Sequence, residues 1–489
     1  MKTITNPFLP LWEHVPDGEP HVFGDRVYLF GSHDKEGGET FCMLDYTAWS
    51  APVGDLTDWR CEGTIYRAAQ DPDYPRRKYM YAPDVVQGND GRYYLFYCMS
   101  GDFGVGGYHG PISVAVADTP AGPYQYHGFV RFADGSPMLR YVCFDPAVMN
   151  DGGTIRVYYG TQYDFEERPE FPGQDECLLK SEMDMFHKTR EEILGTPESV
   201  MGVNMLTLAD DMLTVKTGPV RIIPYRVKGT RFEGHPFFEA ASMRKVGSKY
   251  YFVYSSQKNH ELCYAVSDAP DGGFTFGGTI VSNGDVGYHG RADADRLNMT
   301  GTTHGSIIEI AGQWYVFYHR LTHKSDYSRQ ACAERIEIAP DGSIPQVCIT
   351  SCGLNGGPLP AVGMYPAPTA CCITDGHMPH GSNKIYGEVF PHVTHEGADH
   401  LIAEITSGTR IGWRWFAFEG DVTLTLTVRG AAGHWTVTDE DDQTFGETDV
   451  PACAAWTDIA VPLTVPAGTH ALWLRREGEG TASLKDIAF

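Results

Sequence analysis

Apolar residues occur along most of the chain in short runs that are rich in aromatic and β-branched side chains and are bounded by turn residues. Runs of this length and composition predict β-strands rather than helices. Five of the runs share one form, in which a turn residue precedes a strand that contains Tyr or Trp. Their sequences are DRVYLFGSHD, GRYYLFYCMS, GTIRVYYGTQ, SKYYFVYSSQ and GQWYVFYHRL.

The spacing of these runs indicates how the repeated units are arranged. Alignment of the runs gives intervals of 65, 65, 93 and 64 residues between Tyr28, Tyr93, Tyr158, Tyr251 and Tyr315. Repeats of this length, each with several strands, are typical of sheets arranged radially about an axis. The pattern therefore predicts an all-β fold that begins with a five-bladed β-propeller over residues 1–352.

The longest interval contains an insert within residues 161–235. Most of it lacks a clear period, but the stretch KSEMDMFHKTREEIL predicts a helix. We expect the insert to form a rim loop over a pocket or a contact between subunits, and a plain surface loop is the alternative.

A second shared element lies nine to thirteen residues before each aromatic run, where a polar residue opens a short apolar strand. If this strand is the innermost of each blade, radial symmetry places the five polar residues around one axis. Four carboxyl groups and one imidazole then converge on a single pocket. The alternative is that each residue only opens a strand as part of a turn. The residues are Glu19, Asp84, Asp145, Glu239 and His304.

The last part of the chain has a different pattern. Residues 353–384 are dense in Gly and Pro and predict a linker or a wrapping strap. Residues 385–489 alternate between apolar and polar positions, with turn signals every eight to twelve residues, which predicts a jelly-roll-like β-sandwich. Three tryptophans there are candidates either for a sugar-binding platform or for the packed interior, namely Trp413, Trp415 and Trp435.

Composition narrows the classes of partner. The chain has 38 Lys and Arg against 63 Asp and Glu, a formal net charge of −25, which disfavours nucleic acid and anionic membranes. No apolar run approaches the roughly 20 residues that span a bilayer. The 12 Cys are scattered without a CxxC pair, as expected in a reducing compartment. We expect a cytoplasmic protein, and its oligomeric state is left open.

The five strand-opening motifs, taken in order, resemble those of glycoside hydrolase family 43, and the resemblance covers residues 6–350. The closing sandwich, with its final SLKDIAF, is similar to family 6 carbohydrate-binding modules. The motifs are GEPHVF, YMYAPDVV, CFDPAVMNDGGTIRVYYG, FFEAASMRKVGSKYYFVYSS and GTTHGSIIEIAGQWYVFYH.

The resemblance implies a propeller that cleaves terminal glycosidic bonds with inversion of configuration. It assigns Glu239 as the general acid, although two Ala follow it where the family usually has Gly-Pro. It assigns Asp145 as the residue that orients this acid and tunes its pKa. Glu19 falls where the family usually has Asp as the general base, and Asp17, two residues earlier, is the alternative base.

Further residues are expected to bind the sugar. Asp84 is predicted to line the pocket wall, and Phe144 and Phe238 to stack on the apolar face of the sugar. The resemblance places Arg329 at the pocket floor. It places His304 beside an axial water or cation, so a structural Ca²⁺ on the axis is allowed, with no cofactor needed for catalysis.

Three functions follow as hypotheses. The first is an inverting exo-glycosidase that releases α-L-arabinofuranose or β-D-xylose from the non-reducing ends of oligosaccharides. The second is a β-D-galactofuranosidase on the same scaffold. The third is a propeller that binds sugar without cleaving it.

Overall fold

In the computed structural model of the chain, the described residues are 3–101, 108, 110–163, 174–195, 199–381 and 388–489, without the side chains of residues 174 and 175. Five small antiparallel sheets come first along the chain, and two larger sheets follow. This confirms the predicted all-β architecture of a five-bladed propeller and a sandwich.

The first two blades are four-stranded and pair in chain order. Blade 1 contains β1 (Glu19–Phe23), β2 (Arg26–Phe30), β3 (Tyr46–Pro52) and β4 (Arg60–Tyr66), and blade 2 contains β5 (Tyr79–Gln87), β6 (Tyr93–Ser100), β7 (Ser113–Ala117) and β8 (Gln125–Phe129).

The next two blades follow the same plan, and two helices lie between the second and third strands of blade 3. Blade 3 contains β9 (Ala147–Asp151), β10 (Thr154–Tyr159), β11 (Asn204–Leu208) and β12 (Val215–Arg221), with the helices α1 (Gln174–Phe186) and α2 (Arg190–Leu194). Blade 4 contains β13 (Phe237–Val246), β14 (Lys249–Ser256), β15 (Glu261–Ser267) and β16 (Thr275–Ser282).

Blade 5 has three strands, β17 (Ser306–Ile310), β18 (Gln313–Leu321) and β19 (Arg329–Ile336). The segment before β1 packs along β19: the Phe8 amide donates to the Ala331 carbonyl at 3.1 Å, and the Asn6 side chain donates to the Ala333 carbonyl at 2.9 Å. The beginning of the chain thereby closes the ring of blades.

The hydrophobic core of the propeller lies between neighbouring blades, because each sheet is covered on both faces. In β6, whose sequence is YYLFYCMS, seven of eight residues are buried. A strand that is buried on both faces reads as a continuous apolar run, which explains the aromatic repeats in the sequence. The hydroxyl groups of Tyr66 and Tyr97, which enter this core, pair with each other at 2.8 Å.

The single predicted helix within residues 180–194 is two helices in the structure. The backbone of His187 has a φ of 52°, which ends the first helix. Thr189 then caps α2, because its hydroxyl oxygen accepts from the Glu192 amide while the Glu192 carboxylate accepts from the Thr189 amide. Parts of the insert, residues 164–173 and 196–198, lie outside the described residues.

Two six-stranded sheets form the sandwich. Its strands are β20 (Leu359–Pro360), β21 (Met364–Pro366), β22 (Cys372–Thr374), β23 (His392–Glu396), β24 (Asp399–Ile405), β25 (Arg410–Phe418), β26 (Val422–Gly430), β27 (Gly433–Thr438), β28 (Thr444–Val450), β29 (Cys453–Leu463), β30 (Gly468–Glu477) and β31 (Ala482–Ala488).

The segment 353–384 corrects the expectation of a linker. Its short strands β20 and β22 pair with β25, and β21 pairs with β31. The segment therefore belongs to the sandwich, which agrees with the alternative prediction of a wrapping strap. These strands are only two or three residues long and lie among Gly and Pro, so the sequence pattern did not indicate them. Residues 382–387, which the prediction also covered, lie outside the described residues.

The tryptophans of the sandwich do not form a sugar-binding platform. Trp413 and Trp435 are fully buried in its core, and the partly buried Trp415 packs against the cluster formed by blades 4 and 5. The similarity to family 6 carbohydrate-binding modules stays a prediction. Within the part of the chain that the structure describes, none of the helices has the length and apolar character needed to cross a lipid bilayer.

Candidate active site

The first strand of each blade lies nearest the axis, and its register with the second strand defines equivalent positions in the five blades. We call the first set of such positions the lower ring. It contains Glu19, Asp84, Ala147, Ser242 and Ser306, which pair with Phe30, Phe96, Tyr158, Val253 and Phe317. The positions two residues earlier form the upper ring, which contains Asp17, Ala82, Asp145, Ala240 and His304.

The backbone of the upper ring is strained. Four of its five members have positive φ without being glycine, which costs about 1–3 kcal/mol each and is concentrated at functional sites. The inner strands of blades 2 and 4 also shift register between Tyr81 and Asp84 and between Glu239 and Ser242. Such bulges re-aim side chains. The φ values are 58° at Asp17, 27° at Ala82, 43° at Asp145 and 66° at Ala240.

A cavity of ≈ 380 Å³ lies directly above the upper ring. Most of the predicted site residues meet there: Asp145, Glu239, Phe144, Phe238, His304 and Arg329 all line it. The alternative base Asp17 lines it too, whereas Glu19 and Asp84 do not. A wider cleft of ≈ 560 Å³ lies where the propeller meets the sandwich, but none of the carboxyl groups on its described walls is buried.

Asp17 is held as an anion at the cavity wall. A carboxylate oxygen accepts from Nη1 of Arg329 at 2.8 Å, and Arg329 is fixed in turn by Asp34 at 2.8 and 2.9 Å. Burial works to raise the pKa of Asp17, but the positive charge of Arg329 and the neighbouring His319 and His304 outweigh it and bring the pKa to about 2. Asp17 therefore stays ionised at neutral pH.

Glu239 is in the opposite state. Burial raises its pKa to about 8, and the negative charge of Asp17 adds to the rise. Asp145 also has a raised pKa because of burial and the adjacent Glu239 and Asp17, although its carboxylate accepts from the Ala240 amide at 3.0 Å. Since these two buried carboxyl groups do not ionise together at low cost, the pair retains at least one proton near neutrality.

Glu19 and Asp84 correct two expectations. Both belong to the lower ring, beneath the cavity, and both are held by protein groups. The Glu19 carboxylate accepts from Arg244 at 2.6 Å and from the Ser242 hydroxyl at 3.2 Å. One oxygen of Asp84 contacts His21 at 2.6 Å and the other accepts from the Val148 amide at 2.7 Å. Glu19 is therefore misplaced for a base, and Asp84 for a wall residue.

The space between the two rings tests the expectation of an axial Ca²⁺ at His304. Nε2 of His304 and Oε1 of Glu19 are buried, unpaired and 4.0 Å apart. Ca²⁺ takes six to eight oxygen ligands. Here the Glu19 carboxylate already binds the Arg244 guanidinium, and both oxygens of Asp84 accept other hydrogen bonds. These residues do not fit Ca²⁺, and an axial Ca²⁺ stays a prediction that their hydrogen bonds disfavour.

The insert supplies a wall that sequence reasoning missed. Four residues of α1 face the cavity, namely Leu178, Glu182, Met185 and Phe186. They recur at the spacing of one helix face, so a search of the sequence for that spacing would have found them. Glu182 is 1% exposed, its Oε2 lacks a hydrogen-bond partner, and burial raises its pKa to about 8. The expected rim over the pocket is therefore present.

Comparison with known proteins gives a consistent set of relatives. The family described as Glycosyl hydrolases family 43 matches residues 4–184. The "Xylosidase/arabinosidase" of Thermoclostridium stercorarium is 41% identical over 99% of this chain and 98% of its own length. The "Xylosidase/arabinosidase 43A" of Humicola insolens is 30% identical over 68% of this chain and 96% of its own. A solved family 43 structure from Xanthomonas citri, complexed with xylotriose, is 25% identical, covers 71% of this chain and 94% of that one, and has a TM-score of 0.54.

Proposed function

Because the chain belongs to glycosyl hydrolase family 43, we propose that this glycoside hydrolase releases terminal α-L-arabinofuranosyl or β-D-xylosyl residues from oligosaccharides, with inversion of configuration. The relative that matches it over almost its whole length is named for both activities. The observation that carries the proposal is a pair of buried carboxyl groups at one cavity, with the pKa of Asp17 lowered by Arg329 and the pKa of Glu239 raised by burial.

The roles of the two carboxyl groups follow from these states. Glu239 holds the proton that the departing glycosidic oxygen needs, so it is the general acid. Asp17 is ionised and takes a proton from the water that attacks the opposite face of the sugar, so it is the general base. Asp17 replaces Glu19 in this role because only Asp17 lines the cavity. Arg329 keeps the base ionised through its 2.8 Å contact.

Asp145 is a positioning residue in this scheme. Its carboxylate accepts from the Ala240 amide, next to Glu239, and thereby fixes the backbone that carries the acid. The two neighbouring carboxyl groups also oppose each other's ionisation, which favours the protonated state of the acid.

The shape of the cavity supports action on chain ends. Helix α1 closes one side, and the rings of Phe144 and Phe238 offer apolar surfaces for the C–H faces of a sugar. Such an enclosed site accommodates a terminal residue better than the middle of a polymer.

The test is hydrolysis of a panel of 4-nitrophenyl glycosides, with NMR of the first anomer released. We expect turnover of the α-L-arabinofuranoside or the β-D-xyloside, release of the inverted anomer, and loss of turnover in Glu239→Gln with its fold intact. Turnover of the β-D-galactofuranoside alone would select the second hypothesis. Sugar binding without turnover on any substrate would reject the proposed activity.

A further inference from the structure

A cluster of imidazoles lies outside the cavity, where the propeller meets the sandwich. Four separate segments of the chain supply its members: His14 comes before β1, Glu36 follows β2, His323 follows β18, and His395 lies on β23 of the sandwich. One ligand atom each from His14, Glu36 and His323 lie within 4.8 Å of one another. Nε2 of His395 is 3.4 Å from Oε1 of Glu36.

The histidine rings are oriented by their second nitrogens. Nδ1 of His323 contacts the Thr322 hydroxyl at 2.9 Å, Nδ1 of His395 contacts the Gly397 carbonyl at 3.1 Å, and His14 bonds the Trp12 backbone. Histidines that ligate metals are held in this way, with one nitrogen on a protein acceptor and the other on the ion.

The atoms that point inward are buried and incompletely bonded. Nε2 of His14 makes no hydrogen bond, and Nε2 of His323 and Oε1 of Glu36 form a 3.0 Å ion pair without further partners of good geometry. His14 is 1% exposed and His323 is 8% exposed. Leaving buried polar atoms unpaired costs about 1–3 kcal/mol each. A bound group that accepts lone pairs from several of these nitrogen and oxygen atoms would remove that cost.

We propose that His14, Glu36, His323 and His395 bind a divalent transition-metal ion, with Zn²⁺ as the best fit. Zinc bonds of about 2.0–2.2 Å in a tetrahedron place neighbouring ligand atoms roughly 3.3–3.6 Å apart. The separations from Oε1 of Glu36, 3.0 Å to Nε2 of His323 and 3.4 Å to Nε2 of His395, are close to that edge length, and a ligand atom of His14 lies within 4.8 Å. Three imidazoles and one carboxylate favour such an ion over Ca²⁺ or Mg²⁺, which prefer oxygen.

The position of the site defines what the ion does. Three ligands belong to the propeller and one to the sandwich, so a bound ion links the two domains. Glu36 lies two residues after Asp34, which fixes Arg329 in the cavity, so the ion also anchors the loop that supports this arginine. With four protein ligands the site is closed, as structural zinc sites are.

The test uses the full chain without an affinity tag, stripped with a chelator and dialysed against Zn²⁺ or Co²⁺. We expect one Zn²⁺ per chain by mass spectrometry, a tetrahedral d–d absorption with Co²⁺, and a melting temperature raised by about 5 °C or more. His323→Gln and the more exposed His395→Gln are expected to weaken binding at least about 100-fold. The control is His434→Gln, on an exposed part of the sandwich beside Asp449, which keeps full binding.

Binding of no ion by the wild type would overturn the proposal, as would equal binding by His395→Gln, which would place the ion elsewhere. An octahedral Co²⁺ spectrum would contradict the four-ligand set. Glycoside turnover is measured separately on the stripped and reloaded protein. A failure of the metal site therefore leaves the hydrolase assignment untouched, and the reverse also holds.

Discussion

Two levels of buried acidic side chains lie on the propeller axis, two residues apart on the same inner strands, and they differ in what balances their charge. In the lower ring, Glu19 is paired with Arg244, and Asp84 with His21 and a backbone amide. In the upper ring, Asp17 is paired with Arg329 but also faces a cavity, and Asp145 beside it has a raised pKa.

This difference separates structural acids from chemical ones. Burial alone perturbs carboxyl groups in both rings, so a shifted pKa does not identify a catalytic residue. What distinguishes the acids at the cavity is access to it together with unequal charge balance, which leaves Asp17 of the upper ring ionised and Glu239, next to the upper-ring Ala240, protonated.

Exchange of one carboxylate in each ring gives the largest expected contrast. Asp17→Asn removes the base and lowers kcat by about 10³-fold, within the range for loss of general base catalysis. Glu19→Gln is expected to keep kcat within about tenfold, because Glu19 does not line the cavity. Steady-state kinetics of both variants on the preferred nitrophenyl glycoside show which of the two carboxylates is the base. The opposite ranking would restore Glu19 as the base.

The same two variants are expected to reverse order in stability. Glu19→Gln leaves the partly buried Arg244 guanidinium without its buried anion and lowers the free energy of unfolding by about 3 kcal/mol. Asp17→Asn costs less, because Arg329 keeps Asp34 as a partner. Guanidinium denaturation measures both. The double variant Glu19→Gln/Arg244→Gln serves as the control and is expected to lose less than the sum of the single changes. Simple additivity would argue against the pair.

The sequence allowed the propeller, the sandwich and several residues of the cavity lining to be predicted, because repeats and strand alternation depend on local patterns. It did not distinguish the two rings. The predicted set of five polar residues takes Glu19 and Asp84 from the lower ring and Asp145 and His304 from the upper.

The reason for that mixture is physical. Asp17 precedes the regular part of β1 and has a φ of 58°, so strand alternation does not show where its side chain points. The bulge at Glu239 shifts the register of β13 in the same way. Helix α1 contributes Glu182 from an insert that the repeat pattern does not cover. The four-segment imidazole cluster depends on contacts between domains, and no spacing in the sequence indicates them.

The pH dependence of activity reports the two acids at the cavity, Asp17 and Glu239. Glu239, with a pKa of about 8, loses its proton above that pH, and Asp17, with a pKa of about 2, gains one only in strong acid. We therefore expect kcat/KM to fall to half near pH 8 and to hold down to about pH 4. If this fall of kcat/KM near pH 8, the basic limb of the profile, is due to Glu239, its midpoint in Glu19→Gln stays within about 0.5 pH unit of the wild-type value. A larger shift would assign the limb to the lower ring.

Glu239 is also expected to make the stability of the protein fall as the pH rises. The folded-state pKa of Glu239, about 8, lies above its ordinary value of 4.5, so the folded protein binds a proton that the unfolded chain releases between these values. Its contribution to stability is complete below about pH 4.5 and is lost as the pH rises towards 8. Thermal unfolding of Glu239→Gln, which does not titrate, is expected to show a flatter profile across that window. An unchanged slope would contradict the raised pKa.

The smallest expected effect isolates the backbone of the upper ring from its charges. Ala240 has a φ of 66°, which glycine adopts without strain, whereas its neighbour Ala241 is also buried and does not have positive φ. Both changes to Gly remove one buried methyl group, but only Ala240→Gly also relieves strain. It is therefore expected to be about 1 kcal/mol more stable than Ala241→Gly, with its amide still bonded to Asp145 and kcat within about twofold. Equal stabilities of the two variants in denaturant would mean that the positive φ of Ala240 does not destabilise the fold. Backbone strain would then play no part in the difference between the upper and lower rings.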